Sequence, residues 1–473
     1  MSEPEFDGLD DFAGPGGWDE GAKMLGLRLL GVEWDDAACA TAEAAGHARV
    51  KADVTRHQCD GEGVGKLYIG SPSCTLFSAA GTGVGRLVMD VLADGIRRIF
   101  RGDDPDVVRV ETEAAIYPVT LAEAQAKNKK RKPEKRWATE KVEAKARTDA
   151  FVAALVLQPA RRIVQMDPER VALEQVREVR PLWQVYVYEL RRRGWSAWEG
   201  ILCAADFGVP QERYRAILMA SRVSIAQPPV PTHGKHPDDG ALFGEPRKKW
   251  VSMADALAWG WEDEPACTVS SGGAASGGAE PFANADYRER LRAYVVDRWT
   301  NSKGPRGTTV PTVARPLSEP APTLTGKSGE QWVIREGERP PVYVNGNQPN
   351  AGRRSIDEPA PTVLFGQRHN DTRWVYERPA TTVVGSFKPD VIAAPGYRTD
   401  ISRQDAPGSV SVSVSISEAG VLQSFRANYP WQGSRTKQYE QVGNAVPPLM
   451  AAHILAALLG LRDRLIEHLE AAA

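Results

Sequence analysis

One stretch near the start of the chain, Phe12-Ala13-Gly14-Pro15-Gly16-Gly17, constrains the fold more than any other. It ends a short strand and opens a helix that carries Trp18, Ala22 and Leu25 on one face. A second strand, Leu27 to Val32, ends in Glu33, nineteen residues past Gly14. Glycines let a backbone approach a bound group closely, and an acid at the end of the next strand can accept both hydroxyls of a ribose. The two together predict a βαβ unit with room for an adenosine-containing ligand. The spacing is not the six-residue dinucleotide fingerprint, which weighs against a nicotinamide cofactor.

The strands that follow repeat the pattern. Asp35 caps a small-residue helix from Ala37 to Ala45, and Ala48 to Val54 reads as a third strand with Asp53 near its end. Leu67-Tyr68-Ile69 is a short apolar run that stops at Gly70-Ser71-Pro72-Ser73-Cys74-Thr75-Leu76-Phe77-Ser78. Carboxyl ends of successive parallel strands line one crevice, so Gly14–Gly17, Glu33, Asp53 and Cys74 are expected to converge. A cysteine in a turn is most often a buried apolar residue; at a strand mouth in this setting its thiol can reach a substrate. Gly81, Gly83 and Gly85 make the next segment permissive enough to move over a ligand.

Helical periodicity covers residues 86–100, and a further helix runs through Phe151 to Val156. Val171 to Val176 reads as a buried strand carrying Glu174 near its end. An acid there is costly unless paired or functional, and an ion pair with Arg177 is the ordinary alternative. Trp183 to Arg192 is an amphipathic helix. Gly208-Val209-Pro210-Gln211-Glu212-Arg213-Tyr214-Arg215 then leads into an apolar strand. Arg213 and Arg215 alternate and should point to opposite sides, one toward a ligand and the other toward the scaffold.

At 473 residues the chain fits two domains, or one large domain with an inserted lobe. No apolar run approaches a membrane span and the amino terminus is acidic, so a cytoplasmic location is expected. The five cysteines lack Cys-x-x-Cys spacing, so neither a disulfide framework nor a metal site is indicated. Net charge is only −2, yet Lys127 to Arg147 is densely basic. Such a run is either a solvated helical face or a surface that tracks phosphates. From about Gln227 to Ala406 Pro, Gly, Ser and Thr become frequent, and a degenerate Pro-Ala-x-Thr repeat recurs at 265–268, 320–323, 359–362 and 379–382. Each copy reads as a turn into a short strand. Helical character returns at Ser415–Phe425. Gly443-Asn444-Ala445-Val446-Pro447-Pro448 then opens a helix with Met450, Ile454 and Leu458 on its apolar face. The expected fold is α/β: a doubly wound, mostly parallel sheet built from residues 1–225 and 407–473, with a charged insertion near 102–147. An irregular, strand-rich lobe, 226–406, is inserted between the two parts.

The ordered blocks resemble those of the DNA (cytosine-5)-methyltransferase family. The matching pieces are Phe12–Gly17, Glu33-Trp34, Asp53, the Cys74 loop, Glu174-Gln175-Val176, Gln211-x-Arg213-x-Arg215, Ser417–Phe425 and Gly443–Pro448. Together they span roughly 9–220 and 410–460. The sequence departs from the family at Ser73-Cys74-Thr75, where Pro-Cys-Gln is usual, at Gln175, where Asn is usual, and at Asp11, where an apolar residue is usual.

The resemblance implies a Rossmann-like S-adenosylmethionine-dependent enzyme acting on carbon 5 of cytosine in double-stranded DNA. It implies Cys74 as nucleophile, Glu174, Arg213 and Arg215 as its catalytic partners, and the inserted 226–406 segment as a recognition lobe. Phe12, Gly14, Gly16, Gly17, Glu33, Trp34, Asp53, Asn444 and Val446 would hold S-adenosylmethionine, and Ser78, Gln211 and Thr382 would touch DNA. A monomer in a bacterial or phage-encoded, nucleoid-associated setting is expected, with or without a cognate restriction endonuclease. An RNA cytosine methyltransferase of the same build and a non-catalytic DNA-binding module stand as alternatives.

Overall fold

The computed structural model describes residues 4–58, 64–73, 75–77, 84–235, 247–257 and 416–471, with the backbone of seven strands between 299 and 413. Its centre is a seven-stranded sheet. The strands are β1 (Phe6–Asp11), β2 (Leu29–Glu33), β3 (Ala48–Lys51), β4 (Val64–Gly70), β5 (Arg170–Gln175), β6 (Ser196–Cys203) and β7 (Tyr214–Ser221). Their order is β3-β2-β1-β4-β5-β7-β6. β7 runs antiparallel to both β5 and β6, and the other pairings are parallel. The order reverses direction at β1 and β4, which is where open α/β sheets hold ligands at the carboxyl ends of their strands. This is a doubly wound, Rossmann-like α/β fold.

The helices are α1 (Gly17–Met24), α2 (Asp36–Ala44), α3 (Met89–Arg101), α4 (Pro105–Lys129), α5 (Thr139–Ala154), α6 (Gln158–Met166) and α7 (Arg180–Arg192). Four more, Ile416–Val421, Arg435–Asn444, Pro448–Leu459 and Arg462–Ala471, close the chain. Local chemistry sets several boundaries. The Asp35 carboxylate accepts from the amides of Ala37 and Ala38 and starts α2. Gly102, in the left-handed region, stops α3; Asp104 then caps α4, with Pro105 in its first turn.

Period-2 alternation sends neighbouring strand residues to opposite layers. Leu9, Tyr68, Val171, Leu173 and Leu218 join α3, α6 and α7 in one core. Leu67, Ile69, Ala172, Ile217 and Met219 join α1 and the Pro448–Leu459 helix in the other. Burying each such aliphatic side chain contributes about 1.5–3 kcal/mol. The helical stretch Arg435–Leu459 is long and apolar enough to cross a membrane by length and composition, against the reading from sequence. Ala445–Pro447 interrupts it, however, and 72% of its most apolar window is buried, as in a core helix.

Two expectations shift. The third strand stops at Lys51, so Asp53 lies in the turn beyond it. The basic stretch is not one helical face but the far end of an α4–α5 hairpin. Arg435–Asn444 is a further helix, running into the Gly443–Pro448 block. In the inserted region, Thr372–Glu377 pairs antiparallel with Val342–Asn345 and with Ser409–Ser413. The four repeat copies lie outside the described residues.

Candidate active site

Sheet register lines up the ends of the central strands. Asp11 lies beside Val32 and Gly70, and Gly70 lies beside Leu173, so Phe12, Glu33, Ser71 and Glu174 each begin just past one row. Phe12 has φ 63°, a conformation that costs a bulky L-residue of order 1–3 kcal/mol and recurs at functional sites. Gly14 and Gly16 follow with φ 56° and 110°, which is why the turn needs glycine. A Cβ on Gly14 would meet nothing within 4 Å among the described residues, so its backbone faces open space.

The turn is held from several sides. The Gly14 amide donates to Glu33 Oε2 at 2.9 Å, while Glu33 Oε1 accepts from the amides of Trp34 and Asp35, both at 2.8 Å. Arg49 grips Asp19 through both carboxylate oxygens and reaches the Gly14 carbonyl at 3.3 Å. The Tyr429 hydroxyl donates to the Pro15 carbonyl. Gly17 lies so close to the Val446 carbonyl that an added Cβ would stand 2.1 Å from it. Asp10 is wholly buried, with no partner for either oxygen among the described residues. Burial first and Asp19 second hold its carboxyl well above the usual carboxylate range. Beside this turn the Trp34 side chain is 60% exposed and Asn444 is exposed. Asp53 accepts from the Thr55 amide and hydroxyl at 2.9 and 2.8 Å.

The loop after β4 is anchored on both sides of position 74. Ser71 N donates to the Asp11 carbonyl at 3.2 Å, and Trp18 Nε1 donates to Ser71 Oγ at 2.9 Å, which ties the loop to α1. Gln175 Nε2 donates to the Pro72 carbonyl at 2.7 Å, and its Oε1 accepts from Val176 N at 2.6 Å. Beyond position 74, Leu76 and Phe77 are buried, and Gly85 N donates to the Leu76 carbonyl at 3.1 Å. Cys74, Ser78 and Thr382 lie outside the described residues.

Glu174 Oε1 pairs with Arg215 Nε at 2.8 Å, both side chains nearly buried, rather than with Arg177. Arg213 faces elsewhere, and its two terminal nitrogens donate to the carbonyls of Gly443 and Ala445 at 3.0 and 2.9 Å. One arginine thus serves the buried acid and the other the scaffold, the division their alternation predicts. Gln211 is fully buried behind them. The departure at Asp11 also has a physical account. Arg162 Nε and Nη2 embrace its carboxylate at 2.7 and 3.2 Å, and Tyr68 and His57 complete the buried cluster. Burial, then Arg162, pushes the His57 imidazole below its usual range.

Trp18, Arg49, Asp19, Tyr429 and Arg162 carry this site yet belong to none of the blocks picked from sequence. Their partners lie from 30 to 414 residues away, apart from Arg49 against its neighbour Ala48, and no local pattern signals such pairs. Among the described residues no group of histidines, cysteines or acids could hold a metal ion. Chemically, the edge joins a glycine turn with a buried acid at its rim, a loop pinned at Ser71 and Pro72, and a carboxylate paired with a guanidinium.

No family model matches the sequence. Over 46 residues the chain is 52% identical to the type II methyltransferase M.Bpa9945I of Bacillus paralicheniformis, a match spanning 10% of either chain. The fold is also similar to the Entamoeba histolytica methyltransferase EhMeth (10% identity, 97% of this chain and 99% of that one, TM-score 0.43). A second solved structure, the S. pombe Dnmt2 methyltransferase, shows 12% identity over 96% of this chain and 98% of that one, with TM-score 0.43. Each of these three proteins is described as a methyltransferase.

Proposed function

We propose that the chain is an S-adenosylmethionine-dependent DNA methyltransferase that modifies carbon 5 of a flipped-out cytosine. The observation that carries this is the Glu174–Arg215 pair, set on the same sheet edge as the Gly14–Glu33 turn and joined through Gln175 and Pro72 to the loop of Cys74. The residues at β1 and β2 fit the cofactor: Gly14 leaves open space, the Glu33 carboxylate is fixed by three backbone amides, and the Trp34 indole is exposed beside it. When bound, S-adenosylmethionine supplies an electrophilic methyl group.

The rest of the chemistry belongs to this chain. A cytosine ring is a poor nucleophile at carbon 5, and a thiolate from Cys74 adding to carbon 6 breaks its aromaticity. Glu174 shares or delivers a proton at ring nitrogen 3, so negative charge does not build up there. Arg215 orients Glu174 and stabilises charge at the exocyclic oxygen. Loss of the carbon-5 proton lets the carbon–sulfur bond break and returns the thiolate. None of this fits within a stacked duplex, so the base must leave the helix. Gln175 keeps the stem of the cysteine loop in place, since its amide holds the Pro72 carbonyl.

Duplex DNA carrying 5-fluorocytosine at the target tests the reading, because the fluorine cannot leave as a proton does and the adduct persists. The wild type should form a denaturation-resistant complex in the presence of S-adenosylmethionine, and Cys74→Ala should form none while retaining cofactor affinity. Glu174→Gln should slow single-turnover transfer by about 10²-fold or more. Full transfer by Cys74→Ala, or preference for tRNA over duplex DNA in competition, would overturn the assignment.

A further inference from the structure

The α4–α5 hairpin has no part in the site described, yet its far end carries the densest charge in the chain. Between 127 and 141 there are eight cations and two carboxylates. Lower on the same helices charges are neutralised in place: Arg109 pairs with Glu113, Lys127 with Glu123, Arg147 with Glu143 and Lys145 with Asp149. At the tip this stops. Lys129, Lys130, Arg131, Lys132, Lys135 and Arg136 are all exposed, and none pairs with a carboxylate among the described residues. A surface kept merely soluble interleaves its signs; this tip does not.

The tip is also built. Asn128 receives the Trp137 amide at 2.8 Å and donates to the Trp137 carbonyl at 2.9 Å, closing the turn. Arg131 and Lys141 lie over the Trp137 ring at 4.1 and 5.0 Å. Cations held in this way lose less freedom on meeting a partner.

Position gives the partner. α3 leads back from the cysteine loop to the opposite edge of the sheet, and α4 returns alongside it, joined by Arg98 to Glu111 at 2.7 Å. α3 has 13 residues and α4 has 25, so at about 1.5 Å per residue α4 is roughly 18 Å the longer. α4 packs against the Val84–Leu87 turn that closes the cysteine loop, and its buried residues end at Thr120. The remaining length therefore projects past the edge where the target base would sit. We propose that this tip grips the phosphates of duplex DNA flanking the target, an inference that rests on the DNA-methyltransferase reading.

The test is equilibrium binding of the full chain to a long duplex across a salt series. The variant carries Lys129→Gln, Lys130→Gln, Arg131→Gln, Lys132→Gln, Lys135→Gln and Arg136→Gln. The slope of log affinity against log salt should fall by at least about 3, since each phosphate contact contributes about 0.9. A companion with Arg at the four lysine positions should keep the wild-type slope, and thermal unfolding should match in all three. A duplex trimmed to the immediate flanks of the target should erase the difference. An unchanged slope on the long duplex, or an equal loss on the trimmed one, overturns the proposal. Methyl transfer by the wild type, measured separately, distinguishes the two readings: intact transfer with an unchanged slope in the variant sinks only the hairpin, whereas a reduced slope in the variant with no transfer by the wild type leaves the hairpin and sinks the reaction.

Discussion

Asp11 and Arg162 show how one unusual residue is accommodated. A carboxylate in the middle of an apolar layer carries a large desolvation cost, and the bidentate guanidinium offsets it only while both partners are present. Asp11→Leu alone should destabilise the protein by about 3–5 kcal/mol, because the buried Arg162 guanidinium then loses the carboxylate that balances its charge. The double variant Asp11→Leu, Arg162→Met should recover most of that loss. Denaturant unfolding of the four-member cycle measures it, and additive losses would show that the pair is not coupled. The sequence displayed Asp11 as an oddity but could not pair it, since Arg162 is 151 residues away. Glu174 was legible for the opposite reason: an acid at the end of an apolar strand is conspicuous by itself. Its partner was not. Arg177 is nearer in sequence, whereas strand pairing of β5 with β7 brings Arg215 to it.

At the level of elements, α1 and the Pro448–Leu459 helix close the Gly14–Gly17 turn against the last part of the sheet's helical layer. The contact depends on glycine, with Gly17 under the Val446 carbonyl and Gly21 against Pro448 and Ala451. Gly17→Ala should push the helices apart, lowering stability by about 1–3 kcal/mol as overpacking does, and weakening S-adenosylmethionine binding with it. Calorimetric titration of the cofactor alongside thermal unfolding checks both effects; equal affinity in Gly17→Ala and wild type would contradict the coupling. Element types were readable wherever periodicity was strong, as in β1, β2, β5 and α7. Polar composition gives less to read: Arg435–Asn444 has few apolar residues to mark a period, and its Tyr439 and Val442 are buried by neighbours.

Across the whole molecule, the closing helix also joins the β6–β7 connection, where His453 packs on Phe207 at 5.2 Å. Burial, with His233 and then Arg462 adding to it, holds the His453 imidazole down at about 4 against an ordinary 6.5. The unfolded chain therefore binds the extra proton first as pH falls. The stabilising contribution is complete above pH 6.5 and is lost progressively as pH falls toward 4, at about 1.4 kcal/mol per pH unit within that window. His453→Leu should flatten the fall in unfolding temperature between about pH 7 and about pH 5; an unchanged pH profile would count against the assignment.

By itself the sequence determined the doubly wound α/β plan, the glycine turn with its acid and the acid of β5, because each is written in local spacing and strand-end chemistry. Only the tertiary structure decided which charges pair, which arginine serves the scaffold, what pins the cysteine loop and where the basic hairpin projects. Those outcomes depend on strand order and helix length acting across hundreds of residues, and a carboxylate chooses its partner by distance in space.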